Sequence, residues 1–208
     1  MSQLKIWGRM SSINVKKVVW TTQELGLDFE RHEAGGVHGV VKTPAYIALN
    51  PNSQIPTIQD GDYVLWESNV ITRYLCAKHS MGNFYPENLQ ERFDAERWME
   101  WQQTMVNPAS RNGFWHLIRL SAEQRDPALI AQSNAAVEPL MAILDAHLAT
   151  RSFMVGERFT MADIPLGCEV QRWFGLPQSR EPRPNIERWF ALLFARPAAK
   201  GVLDLALV

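Results

Sequence analysis

Cysteine is nearly absent. Cys76 and Cys168 are the only two among 208 residues and lie far apart, inside stretches that read as helices. That excludes a disulfide framework and points to buried, reduced thiols. Neither sign of charge prevails, since 21 basic against 22 acidic side chains leave a formal net charge of -1. The lysines and arginines are interspersed with acids, so the basic stripe with which a nucleic-acid binder displaces phosphate counterions is missing, and no nucleic-acid partner is expected. Metal-ligand spacing is missing too: His32, His38, His79, His116 and His147 never fall in a pattern such as His-Glu-x-x-His, so no metal is expected. No apolar run approaches a membrane span, and the opening MSQLKIWG has the layout of neither a secretory leader nor an Arg-rich amphipathic one. The expectation is a cytoplasmic chain with no membrane partner.

What the chain does have is an ordinary globular composition, 46% hydrophobic and 21% charged, sufficient for one large domain or two modest ones without metal or disulfide staples. Its two halves read differently. From Gln3 to about Ser80, strand-like and helical patterns alternate. Leu4 and Ile6 alternate with polar neighbours; Val15, Val18, Val19, Thr22 and Leu25 recur at helical spacing; Gly26 closes that helix. Leu27–His32 alternates again, Ala34–Val40 is a glycine-rich loop, and Thr43–Leu49 reads as a short helix. PTIQ and YVLW flank Asp60, Gly61 and Asp62 as a hairpin. Ser68 sits where an N-cap belongs, ahead of Val70, Ile71, Tyr74 and Leu75. The order β-α-β-α-β-β-α is a thioredoxin-like layout.

After Tyr85 and Pro86 the period is helical throughout. Gln90–Leu120 carries Phe93, Trp98, Trp101 and Met105, then Phe114 and Leu117 beyond a kink expected at Pro108. Asp126-Pro127 is an N-cap with a first-turn proline, ahead of a helix bearing Ile130, Val137, Leu140, Met141, Leu144 and Leu148 on one face and an awkward interior Pro139. Thr160-Met161-Ala162-Asp163 has the form of a capping box, with Asp163 in a structural role. Asn185–Ala195 is the last helix, with Ile186, Trp189, Phe190 and Leu193 inward. The eight tryptophans mostly sit at such helical spacings and read as core and interface fillers.

A thioredoxin-like half followed by an all-helical half resembles the cytosolic glutathione S-transferases, and the local motifs agree over essentially the whole chain. LNPNSQIPTI resembles the family's Asn-Pro-x-x-x-(Ile/Val)-Pro segment, LWESNVITRYL its Glu-Ser-x-x-Ile-x-x-Tyr-Leu segment, and RFTMADI the capping box of its helical domain. The stretch from Ser12 to Val18, SINVKKV, is most similar to the serine-type classes (theta, delta and bacterial nu-like proteins), and no tyrosine occurs before Tyr46. The resemblance implies the glutathione transferase architecture: an α/β thioredoxin-like glutathione-binding domain over residues 1–80, a linker over 81–88, and an all-α domain over 89–208 that contributes the electrophile site. It also implies a homodimer.

Each candidate site residue has a chemical reason. Ser68, at a helix start, offers a hydroxyl among free backbone N–H groups to a carboxylate, and Glu67 can pair with an ammonium; together they suit the γ-glutamyl end of glutathione. Taken alone, the pair is equally an N-cap and a neighbouring acid. The resemblance implies a cis Ile55-Pro56 bond, with Ile55 offering its N–H and C=O to an extended peptide; sequence alone favours trans. Gln54 and Lys42 are candidates for the glycine carboxylate. The thiol then points at the loop before the first helix, where Ser12 is the expected catalytic donor with Asn14 assisting and Ser11 as the alternative. Either Ser12 or Asn14 would also serve as a helix cap. In the helical half the resemblance implies substrate contacts from Arg111, Phe114, Trp115 and His116, positions that ordinary packing explains equally well. The expected function is glutathione transfer to a small electrophile, by conjugation or halide displacement. Glutathione-dependent peroxide or disulfide reduction and a non-catalytic scaffold are the alternatives.

Overall fold

The computed structural model describes residues 3–208, which divide into two compact units at Glu87 and Asn88. In the first unit, strands β1 (Leu4–Trp7), β2 (Phe29–His32), β3 (Thr57–Asp60) and β4 (Tyr63–Trp66) form one sheet in the order β2-β1-β3-β4. β1 and β2 run parallel, and β3 and β4 are antiparallel to their neighbours. Helices α1 (Ile13–Glu24) and α3 (Ser68–His79) pack on each other, and α2 (Pro44–Leu49) lies in the β2–β3 connection. Ile6, Val15, Val18, Trp20, Ile58, Ile71 and Leu75 have no exposed surface and make the core. Cys76 belongs to it, and burial pushes its thiol up to about 12. The Asp60–Tyr63 pairing makes the hairpin turn a two-residue Gly61-Asp62 connection, one residue shorter than the sequence suggested, with Gly61 at φ +65°. Gly26 ends α1 at φ +63°, and Leu27 N–H donates to Thr22 C=O, as expected of a glycine past a helix terminus.

The second unit is helical: α4 (Leu89–Trp101), α5 (Asn107–Phe114), α6 (Pro127–Leu148), α7 (Asp163–Gly175) and α8 (Pro184–Phe194). Gln102–Val106 and Trp115–Arg119 are π-helical, so the continuous helix expected over Gln90–Leu120 is widened twice. Pro108 has no N–H for the carbonyl of Thr104 and its ring crowds that carbonyl, which explains the irregularity just before it. Phe93 and Met105 are 64% and 49% exposed, while Trp98 is buried. Asp126 caps α6 through Ala128 and Leu129 N–H as expected, and Pro139 sits on an exposed turn within an unbroken helix.

Every residue of α7 from Asp163 to Trp173 is buried, the charged ones included. Glu169 accepts from Gln102 Nε2 at 2.8 Å and Ser110 Oγ at 2.6 Å, and lies 3.3 Å from Arg172 Nη1. Arg172 in turn reaches Asn107 Oδ1 at 3.2 Å and stacks on the Phe114 ring. Satisfied in this way, a charge pair can sit inside a helical core. Asp163 has no exposed surface and accepts from the N–H groups of Thr160 (2.8 Å) and Met154 (2.9 Å) and from the Trp189 indole (2.9 Å), the structural role expected of it.

Burial pushes the Asp163 carboxyl up to about 6, its hydrogen bonds pulling the other way. A folded-state value above the unfolded one means that the folded chain holds the proton more tightly. This contribution to stability is therefore fully present below the ordinary carboxylate value and is lost as pH rises through about 6. Asp163→Asn should turn an amide donor towards the Thr160 N–H and cost about 1–3 kcal/mol of unfolding free energy. In urea titrations the deficit of the variant should widen when the pH is lowered from 7.5 towards 5; a narrowing would contradict this account.

Candidate functional site

The first unit gathers most of the candidate residues on two helix starts and one loop. At the end of β1 the chain turns, with Ser12 N–H donating to Arg9 C=O at 3.1 Å, and enters α1 with Ser12 as N-cap in extended backbone (φ -92°, ψ 123°). Its backbone caps, accepting from Lys16 N–H at 3.0 Å, but its side chain makes no capping hydrogen bond. The hydroxyl therefore stands at the positive end of a twelve-residue helix whose first turn has no acid. Two residues on, Asn14 Oδ1 is buried without a hydrogen-bond partner, which is costly unless a ligand or water donates to it. Ser11 differs from Ser12 in that its Oγ accepts from Arg9 Nη1 at 3.2 Å.

The second helix start belongs to α3. Here the N-cap is Glu67, not Ser68, and Ser68 is the first helical residue, 4% exposed. The chain makes its entry turn at Glu67, which takes φ +75° with no side-chain cap. That conformation costs a non-glycine residue about 1–3 kcal/mol and marks positions where geometry outranks comfort. The Glu67 carboxylate is left exposed beside the free N–H groups of the first turn. Asn69, the next residue, accepts from the buried ammonium of Lys17 at 3.1 Å, tying the start of α3 to α1.

Between them lies the Asn50–Thr57 loop, where the Ile55-Pro56 bond is cis. Among the described residues no backbone group pairs with the Ile55 N–H or C=O. The loop is held from behind: Tyr46 Oη donates to Gln54 C=O at 2.7 Å and lies 2.9 Å from Thr57 Oγ1, and Asn50 Nδ2 reaches both. Gly35, at φ +80°, packs so closely on Ile55 that a Cβ there would meet Ile55 Cδ1 at 2.9 Å. The side chains of Gln54 and Lys42 are exposed.

Tyr46, Asn50, Thr57, Lys17 and Asn69 were not singled out from sequence. Asn50 entered only as part of the quoted Asn-Pro motif, and the contacts that give these residues their importance join positions 4 to 52 apart. A cavity of about 750 Å³ in this unit is elsewhere, at the other end of β1 beside Leu27, Phe29, Asp60 and Lys78. It holds none of the candidate residues.

The remaining candidates fall in the second unit. Arg111 and Trp115 line, with Asn112, a shallow cleft of about 310 Å³. Phe114 turns instead to the guanidinium groups of Arg119 and Arg172. His116 Nδ1 accepts from the Asp126 N–H at 3.0 Å, a contact that ties the first turn of the π-helical segment to the start of α6. Among the described residues no cluster of three or more His, Cys, Asp or Glu side chains could hold a metal ion, and no helix is long and apolar enough to cross a membrane.

Two helix starts aimed at anions, an unpaired extended backbone and a free hydroxyl suit a small zwitterionic peptide bearing a thiol. Two family models match this chain: "Glutathione S-transferase, N-terminal domain" over residues 2–77 and "Glutathione S-transferase, C-terminal domain" over residues 101–197. The chain belongs to the glutathione S-transferase family. It is 36% identical to glutathione S-transferase GstB of Escherichia coli, covering 96% of this chain and 97% of that one. It is 33% identical to glutathione S-transferase 3 of Zea mays, covering 95% and 92%. Among solved structures, the glutathione-bound theta class transferase of Xanthomonas axonopodis pv. citri superposes over 100% of both chains with a TM-score of 0.96 at 41% identity.

Tyr46→Phe removes the hydroxyl that holds Gln54 C=O and Thr57, and should lower the unfolding free energy by about 1–3 kcal/mol. Urea titration followed by tryptophan fluorescence measures this directly, and an unchanged midpoint would remove Tyr46 from the support of the loop.

Proposed function

We propose that this chain is a serine-type glutathione transferase, with a glutathione-binding domain over residues 1–80, a linker over 81–88 and a helical domain over 89–208. The observation that carries the reading is the Ser12 hydroxyl, held at the N-terminus of α1 and not spent on capping. Glutathione would lie across the two helix starts. Glu67 meets the ammonium and Ser68 the carboxylate of the γ-glutamyl end, Ile55 pairs with the cysteinyl backbone, and Gln54 or Lys42 reaches the glycine carboxylate. The thiol faces Ser12, with Asn14 beside it.

A free thiol of this kind ionises near ~8.5, so little is thiolate at neutral pH. Lowering that by about 2 units needs roughly 2.7 kcal/mol. A hydroxyl donating to the anion contributes about 1.5–3 kcal/mol and the helix terminus about 0.3–1 kcal/mol, which together suffice without a metal. Ser12 acts as a donor and not as a nucleophile; the attacking atom is the glutathione sulfur, and the partner is a small electrophile, for which Arg111, Phe114, Trp115 and His116 are the candidate contacts. No cysteine lies in this loop, so a reductase activity would run on the thiol of glutathione itself.

The reading extends to a cytoplasmic homodimer, supported by the solvent-facing Leu89, Phe93 and Met105 of the second unit and Tyr63, Trp66 and Val70 of the first. Light scattering behind a sizing column should return twice the chain mass, and Phe93→Asp should move it towards the monomer.

The decisive experiment titrates thiolate absorbance of glutathione bound to wild-type protein and to Ser12→Ala. The bound thiol should ionise well below the free value, and the variant should return it upward by about 1–2 units, the equivalent of one hydroxyl donor. Binding without any depression in the wild type would exclude the catalytic reading.

A further inference from the structure

Arg9 precedes Ser12 by three residues and has no part in the reaction as described so far. Its Nη1 donates to Ser11 Oγ at 3.2 Å. The same guanidinium lies against the backbone of Gly36, where a Cβ would stand 2.6 Å from Nε and 3.3 Å from Cζ. Gly36, at φ +58°, therefore leaves the room that this half-buried side chain occupies.

No carboxylate among the described residues pairs with Arg9. The acid of the facing loop, Glu33, is taken by Arg31 at 2.6 Å, with His38 turned to it at 3.6 Å. The first turn of α1 carries no acid, and the charged groups that follow on that helix, Lys16 and Lys17, are buried cations. A partly desolvated guanidinium without a counter-charge favours an anion placed beside it.

We propose that Arg9 is a positioning residue for thiolate formation: it fixes the Ser11 hydroxyl and supplies a permanent positive charge at the loop that receives the sulfur. The inference rests on the assignment of the Ser12 loop as the thiol site. Arg9 neither gains nor loses a proton in the step. The thiol S–H bond breaks with its electron pair left on sulfur, the proton passes to solvent, and the guanidinium stays charged throughout. A fixed positive charge beside the loop favours the thiolate over the neutral thiol, by an amount that grows as water is excluded from the site.

The experiment is a pH titration of thiolate absorbance for glutathione bound to wild type, Arg9→Met, Arg9→Lys and Gly36→Ala, with the glutathione Kd and a thermal melt recorded for each. Arg9→Met should raise the bound-thiol pKa by about one unit, a roughly tenfold loss of thiolate at neutral pH. Arg9→Lys, which keeps the charge and loses the fork, should fall between, and Gly36→Ala should move the same way by displacing the guanidinium. If the melt shows that Arg9→Met does not fold, the Arg9→Lys and Gly36→Ala titrations decide, and a wild-type pKa in both overturns the proposal. A folded Arg9→Met with the wild-type thiol pKa overturns it. So does a weakened Kd at unchanged pKa, which would make Arg9 a contact for a glutathione carboxylate. If wild type itself shows no depressed pKa, the assignment of the Ser12 loop fails first, an outcome distinct from a depressed wild-type value that Arg9→Met leaves in place.

Discussion

A lysine with no exposed surface has to find its solvation inside the protein, and Lys17 finds part of it at Asn69. That single buried contact joins the first turns of α1 to the first turn of α3, and the site in the first unit depends on it. Ser12 heads one helix and Ser68 the other. Both helix starts present unpaired N–H groups, and both lose their value for a shared ligand if the helices slide. Thr21 and Thr72, whose hydroxyls lie 3.1 Å apart in the same interface, keep the register further along. The exposed Glu67 and the strained backbone beneath it rest on this helix pair.

The second unit applies the same rule to larger charges. Asp163 and Glu169 are both buried on α7, and each is surrounded by donors from other segments: Met154, Thr160 and Trp189 for the first, Gln102, Ser110 and Arg172 for the second. Such networks cost more to break than they contribute over an apolar core, so they specify one arrangement of helices. The π-helical Gln102–Val106 segment illustrates this. Pro108 loosens the ladder, and Glu169 takes up Gln102 where the loosened turn presents it.

Glycine near the site acts through what it leaves out. Gly35 admits the Ile55 side chain and Gly36 admits Arg9, so the glycine-rich loop is a mould for two side chains. The structure adds a physical difference between two adjacent serines that the sequence ranked with Ser12 first and Ser11 as the alternative. Ser11 is engaged by a guanidinium, while Ser12 has no capping bond.

Local patterning was enough for the sequence to determine the class of fold, the order of strands and helices, and the Gly26 and Asp126 helix ends. Those features are written in near neighbours: periods of two and 3.6, caps and turn residues within four positions. Only the tertiary structure decided that Glu67 and not Ser68 is the N-cap, that Phe93 and Met105 face outward, that the Gln90–Leu120 stretch widens twice, and that Tyr46, Asn50, Thr57, Lys17 and Asn69 hold the site together. Each of these follows from contacts between distant segments or from the competition of one helix face with another. A single chain read in order does not contain that information until it is folded.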